Sequence, residues 1–226
     1  MSPQSPDSSS ELISPSLPPS RTPLGVIANV SQVVSSVVDR ISGDRVECPL
    51  LVAVACVEAL KQFQIESQVM YGQVAWLEVL EDHSVIWAGC WGEHFHFWVA
   101  TQFGEVVDLN TSVATRKRGH QQPSLKSIYS PPMLWSNEVP QFYRYLPEGV
   151  AELDLTDSRD QRQLTLVLEE VQSKCGPQHV PQDEASFNFA NEPILCPGRV
   201  LLDDSRNTFR LFERAIAVSG IPQSPF

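Results

Sequence analysis

The stretch "GEHFHFWVATQFGEVVDLN", Gly92 to Asn110, decides how this chain folds. Val, Phe and Trp are strand formers, and two such runs on either side of a glycine turn read as a β-hairpin. His94, His96 and Trp98 fall at every second position and therefore share one face of the first strand. Asp108 lies on the second strand. Opposed residues of a hairpin share a face, and their numbers keep a constant sum. A three-residue loop, Gln102-Phe103-Gly104 with the glycine left-handed, makes that sum 206. Asp108 then stands opposite Trp98 and diagonal to His96, within side-chain reach. A two-residue loop, Phe103-Gly104, makes it 207 and sends His96 and Asp108 to opposite faces.

Upstream of the hairpin, "QVMYGQVAWLEVL" and "SVIWAGCW" have the same composition, with turn signals at Gly72, Asp82-His83 and Gly92. They read as further antiparallel strands. Helix signals between them are few, so parallel βαβ units are not expected. Before the strands, residues 48–63 form the strongest helix signal. Pro49 suits the first helical position, where its missing N–H costs nothing. Leu50 to Val57 are apolar around the whole circumference, which marks a buried central helix. An earlier helix is read over 24–43, with Val at helical spacing and Gly43 as its stop. Downstream, residues 111–150 are Pro-rich and read as a long loop wrapping the sheet. Amphipathic helices follow at 157–174 and 204–219, with Asp157 and Asp204 as caps.

The expected plan is α+β: a buried N-terminal helix packed on an antiparallel sheet, with additional C-terminal helices. Three segments follow. Residues 1–23 hold eight Ser and six Pro and cannot bury enough apolar surface to offset ordering entropy, so a disordered tail is expected. Residues 24–150 form the core. Residues 151–226 form a helical extension on it.

The chain has 226 residues, 42% of them hydrophobic, which suffices for a core, and a net charge of −11. An acidic surface repels phosphates, so neither nucleic acid nor an anionic membrane is the expected partner. The basic run Arg116–His120 is a local exception. No signal peptide and no membrane span are read, and five cysteines without scaffold spacing fit a reducing, cytoplasmic setting. No glycine-rich phosphate loop is present, and no cofactor is expected.

The chemistry centres on Cys48, directly before Pro49. A thiol at a helix N-terminus meets unpaired N–H groups and the positive end of the dipole, which favour the thiolate. Glu47 beside it works the other way. A cysteine nucleophile needs a base, and the base needs an orienting partner. His96 and Asp108 supply both. His94 is the rival base; Trp98 two residues after His96, and the reach to Asp108, favour His96.

The ordered set resembles the transglutaminase-like branch of the papain-type thiol enzymes: a cysteine opening a buried helix, "LKQFQIESQVMYG", "HFHFWV" and "GEVVDLN". The resemblance spans residues 45–112. It implies a papain/transglutaminase-like core and a triad of Cys48, His96 and Asp108. Beside that triad, His94 and Trp98 are read as substrate-side residues, Trp98 as a core aromatic that could wall the cleft. The resemblance implies attack on an amide or ester carbonyl, and hydrolysis or acyl transfer on a peptide or protein substrate. The alternative is a binding or scaffold protein of that fold without activity. A third reading, zinc on Cys90, His94 and His96, lacks a second ligand pair, and no metal site is expected. Cys56 reads as core.

Overall fold

The structure is a computed structural model and describes residues 21–111, 125–152, 158–180, 193–196, 199–201 and 205–226. Most of the Ser/Pro-rich segment, the basic run Arg116–His120, and the caps at Asp157 and Asp204 lie outside the described residues.

Helix α1 spans Leu24–Ser42. The Pro23 carbonyl receives the N–H groups of Val26 and Ile27. Gly43, at φ +83°, ends the helix by donating its N–H to Asp39, a left-handed cap that glycine adopts without a Cβ penalty. Val30, Val34, Val37 and Val38 are fully buried, so tertiary packing overrides the low helix propensity of valine. By length and composition α1 could cross a membrane, but it is largely buried inside this fold. Helix α2 spans Pro49–Lys61, with Cys48 at its N-cap. Its small buried residues Ala53, Ala55 and Ala59 let it lie close between α1 and the sheet. Helix α3, Ser158–Lys174, packs on both, and Arg40 of α1 pairs with its Glu170.

The sheet is mixed and curled into a half-barrel, which makes the fold α+β. β1 (Ser67–Leu80) is its spine. β2 (Val85–Cys90) and β3 (His96–Thr101) both run antiparallel to β1, β2 along its C-terminal half and β3 along its N-terminal half. Because β7 (Tyr143–Val150) overlaps both pairings on β1, it occupies the opposite edge, and β2 and β3 lie end to end. β5 (Ser127–Tyr129) shares the edge of β7. Beyond β3 come β4 (Val106–Asp108), β6 (Met133–Ser136), β8 (Ile194–Cys196) and β9 (Arg199–Leu201). β6 and β8 are parallel, so the sheet is not wholly antiparallel. A last helix, α4 (Ser205–Ser219), packs on β1, β2 and β5.

Two expectations are corrected. Within residues 111–150, three segments are strands rather than a wrapping loop. The prolines punctuate these strands: Pro131, Pro132 and Pro140 lie between them, and Pro147 sits in β7 beside a register shift, where a missing N–H is tolerated. β1 also runs unbroken through Gly72. Glycine is required there for closeness, not for a turn: a Cβ would stand 2.2 Å from the Leu146 carbonyl oxygen of β7.

The alternation of the strands sorts the core into two sides. Val69, Val99, Val107, Met133 and Trp135 pack with α1, α2 and α3. On the same side, Phe142 meets Phe212 of α4 at 5.3 Å between ring centroids. The residues that alternate with these, Val74, Trp76, Trp98, Leu134 and Tyr143, face the other side and are buried by the curl of the sheet. A buried carboxylate locks α1 to the hairpin. Glu105 accepts from the Thr22 N–H and hydroxyl, the Thr101 hydroxyl and the Trp135 indole, so its burial is compensated.

Candidate functional site

The β3–β4 hairpin pairs Val99 with Val107 and Ala100 with Val106. The loop is Gln102–Gly104: Gly104 has φ +72°, and its N–H donates to the Thr101 carbonyl at 2.9 Å. This register places Asp108 opposite Trp98 and diagonal to His96, on the inner face of the curled sheet. His96 Nε2 lies 2.8 Å from Asp108 Oδ2. Both are buried, at 3% and 1% exposure. The Tyr145 hydroxyl donates to the same Oδ2 at 2.9 Å, and the Asn110 N–H donates to Oδ1 at 2.9 Å. Donors on both oxygens fix the carboxylate, and it in turn fixes the imidazole.

Burial by itself would keep His96 neutral. The charge and hydrogen bond of Asp108, joined by Cys90, outweigh it and lift the imidazole to about 10. At neutral pH the imidazole is therefore held in its charged form. Tyr145 is pushed well above its ordinary range by burial and by Asp108, so it remains a neutral donor. Aromatic rings enclose the pair. Trp76 lies 6.4 Å from the imidazole, and Trp98 meets Tyr145 at 5.1 Å. The Trp76 indole is anchored by Glu78 Oε1 at 2.9 Å.

The second partner of His96 is Cys90. Cys90 ends β2 opposite Val74, and His96 starts β3 opposite Gly72. Trp91 to Phe95 are looped out between them. Two positions apart along β1, both side chains face inward. With Nε2 on Asp108, Nδ1 is the nitrogen open to the thiol. The sequence pattern did not lead to this residue as a thiol partner of His96, because its place depends on the register of two strands against a third.

Cys48 lies elsewhere. It caps α2, which packs on the helix-bearing side of the sheet, whereas His96 faces inward. Burial raises its thiol above the ordinary range. Glu47, Asp44 and Asp160 raise it further, and only a hydrogen bond with Ser42 opposes them. Burial, reinforced by the three carboxylates, outweighs the Ser42 bond, so the thiolate expected at this position is disfavoured. A link to the site exists through the backbone: the Asn110 side chain donates to the Arg45 carbonyl, in the turn before Cys48, at 3.1 Å.

The substrate-side expectations also change. His94 sits exposed on the looped-out segment rather than on the strand, so it does not share the His96 face. Trp98 is buried behind Tyr145 and backs the site. Among the described residues, no group of three His, Cys, Asp or Glu side chains is gathered for a metal ion. None of the five cysteines is in a disulfide. Cys56 is buried, and burial drives Cys175 up to about 12, which makes both inert as nucleophiles.

No family model and no curated protein matches this chain. A solved crystal structure described only as a genomics target is similar at 12% identity and a TM-score of 0.45, covering 77% of this chain and 96% of that one.

Proposed function

We propose that this chain is a cysteine hydrolase or acyltransferase acting on an amide or ester carbonyl, with His96 and Asp108 carrying its proton chemistry. The single observation behind this reading is the buried His96–Asp108 pair at 2.8 Å, bonded to Tyr145 and holding a thiol at its other side. A histidine held charged in a dry site donates a proton to a leaving group and, once neutral, takes one from water. Asp108 selects the tautomer and stabilises the imidazolium. The resemblance to the transglutaminase-like branch of the papain-type enzymes supports a papain-like core and a peptide-like amide as the substrate class.

The test is acyl-enzyme trapping. The full chain is mixed with a p-nitrophenyl ester and with peptide amides, and its intact mass is followed over time. A transient acyl adduct on a cysteine, released by water and lost in His96→Gln, is the expected result. If no adduct forms with any ester, a binding or scaffold protein of this fold is the reading that remains.

A further inference from the structure

The reading above leaves the nucleophile to be assigned, and the inference here rests on that reading. We propose that Cys90, not the helix-opening Cys48, is the nucleophile. The looped-out Trp91–Phe95 segment lays β2 and β3 end to end and sets the Cys90 thiol beside the imidazole that Asp108 holds.

Three independent features of the geometry agree. Parity is the first: Cys90 opposite Val74 and His96 opposite Gly72 must face the same side, and that side also carries Asp108. Access is the second. Cys90 is half-buried, while the flanking Gly89 and the Gly92–Phe95 loop are exposed, so an acyl group can reach the sulfur although His96 is buried. Exclusion is the third. Cys48 caps α2, which packs on the face of the sheet opposite the one that carries His96, and burial together with Glu47, Asp44 and Asp160 raises its thiol. Gly72 contributes by lacking a side chain. It lies between His96 and β7, which brings Tyr145 close enough to bond Asp108.

The step balances without an oxidant or reductant. Nδ1 of the charged His96 already holds the proton released by Cys90, and Sγ bonds to the carbonyl carbon as the thiolate. The carbon–nitrogen or carbon–oxygen bond of the substrate breaks, and the Nδ1 proton leaves with the amine or alcohol. Water then attacks the thioester and gives a proton to Nδ1. The carbon–sulfur bond breaks, and Sγ leaves as the thiolate beside the recharged imidazole. One water is consumed per turnover.

The test is alkylation of each cysteine by iodoacetamide between pH 5 and 10, read by peptide mass spectrometry on the full chain. The site of the p-nitrophenyl ester adduct is read in parallel. Cys90 is expected to react fastest at pH 6 and to slow by about tenfold or more in His96→Gln. The adduct should sit on Cys90, survive Cys48→Ala and vanish in Cys90→Ser. These last two substitutions avoid the buried pair, so the result stands even if His96→Gln fails to fold. A His96-dependent adduct on Cys48 would overturn the assignment and leave the acyl-enzyme reading intact. Absence of any adduct would overturn both.

Discussion

Cys48 and Cys90 are both half-buried thiols, and their surroundings differ in every respect that governs reactivity. Cys48 has the helix terminus, but burial and the neighbouring carboxylates Glu47, Asp44 and Asp160 raise its thiol. Cys90 sits at a strand end with no helix dipole, yet it adjoins a histidine that Asp108 keeps charged. A helix terminus acts within its last turn and is worth about 1 kcal/mol at most exposed sites. A neighbouring buried imidazolium is a full charge in a low dielectric, so the direct neighbour outweighs the dipole.

Asp108→Asn should break the comparison most. It leaves His96 with burial and without its countercharge, so the imidazole should fall below its ordinary 6.5. Removing one partner of a buried pair costs about 3 kcal/mol or more, read as a lower urea midpoint. Acylation should drop by roughly 10⁴-fold through loss of tautomer control. Asp44→Asn, beside Cys48, should change neither by a measurable amount.

Glycine substitutions sharpen the contrast next. Gly72→Ala puts a Cβ 2.2 Å from the Leu146 oxygen and should destabilise by about 2 kcal/mol or more, with a lower Tm. Gly43→Ala, on the Cys48 side, meets nothing within 4 Å and should cost only about 1 kcal/mol for its left-handed φ.

Stability against pH gives a third contrast. The folded His96 value of about 10 lies above the unfolded 6.5. Its contribution is therefore fully present below pH 6.5 and is lost as pH rises through about 10. Urea titrations across that window should show this fall, and Asp108→Asn should remove it. The smallest effect is expected from Tyr145→Phe, which deletes one of the donors to Asp108. A loss of about 1 kcal/mol and a modest drop in acylation should follow.

Much of the hairpin was legible in the sequence. The period of two in His96 and Trp98, with the parity of a three-residue loop, is local information, and Gly104 carries the loop conformation itself. The helices were legible for similar reasons, since Gly43 and Pro49 mark their ends. The site as a whole was not. The Tyr145 donor comes from β7, a strand hidden in a Pro-rich stretch whose partner lies some 70 residues away in sequence. Cys90 meets His96 only because five residues loop out of a shared edge on β1, a non-local register that no short window contains. The separation of Cys48 from His96 follows from which side of the sheet α2 covers, and helical periodicity says nothing about that choice.

The most direct test of the account is the titration of the His96 imidazole, followed by NMR on ring-labelled histidine in wild type, Cys90→Ser and Cys48→Ser. The account predicts a wild-type midpoint near 10. That midpoint should move in Cys90→Ser and stay unchanged in Cys48→Ser. A midpoint near 6.5, or one that responds to Cys48 alone, would contradict it.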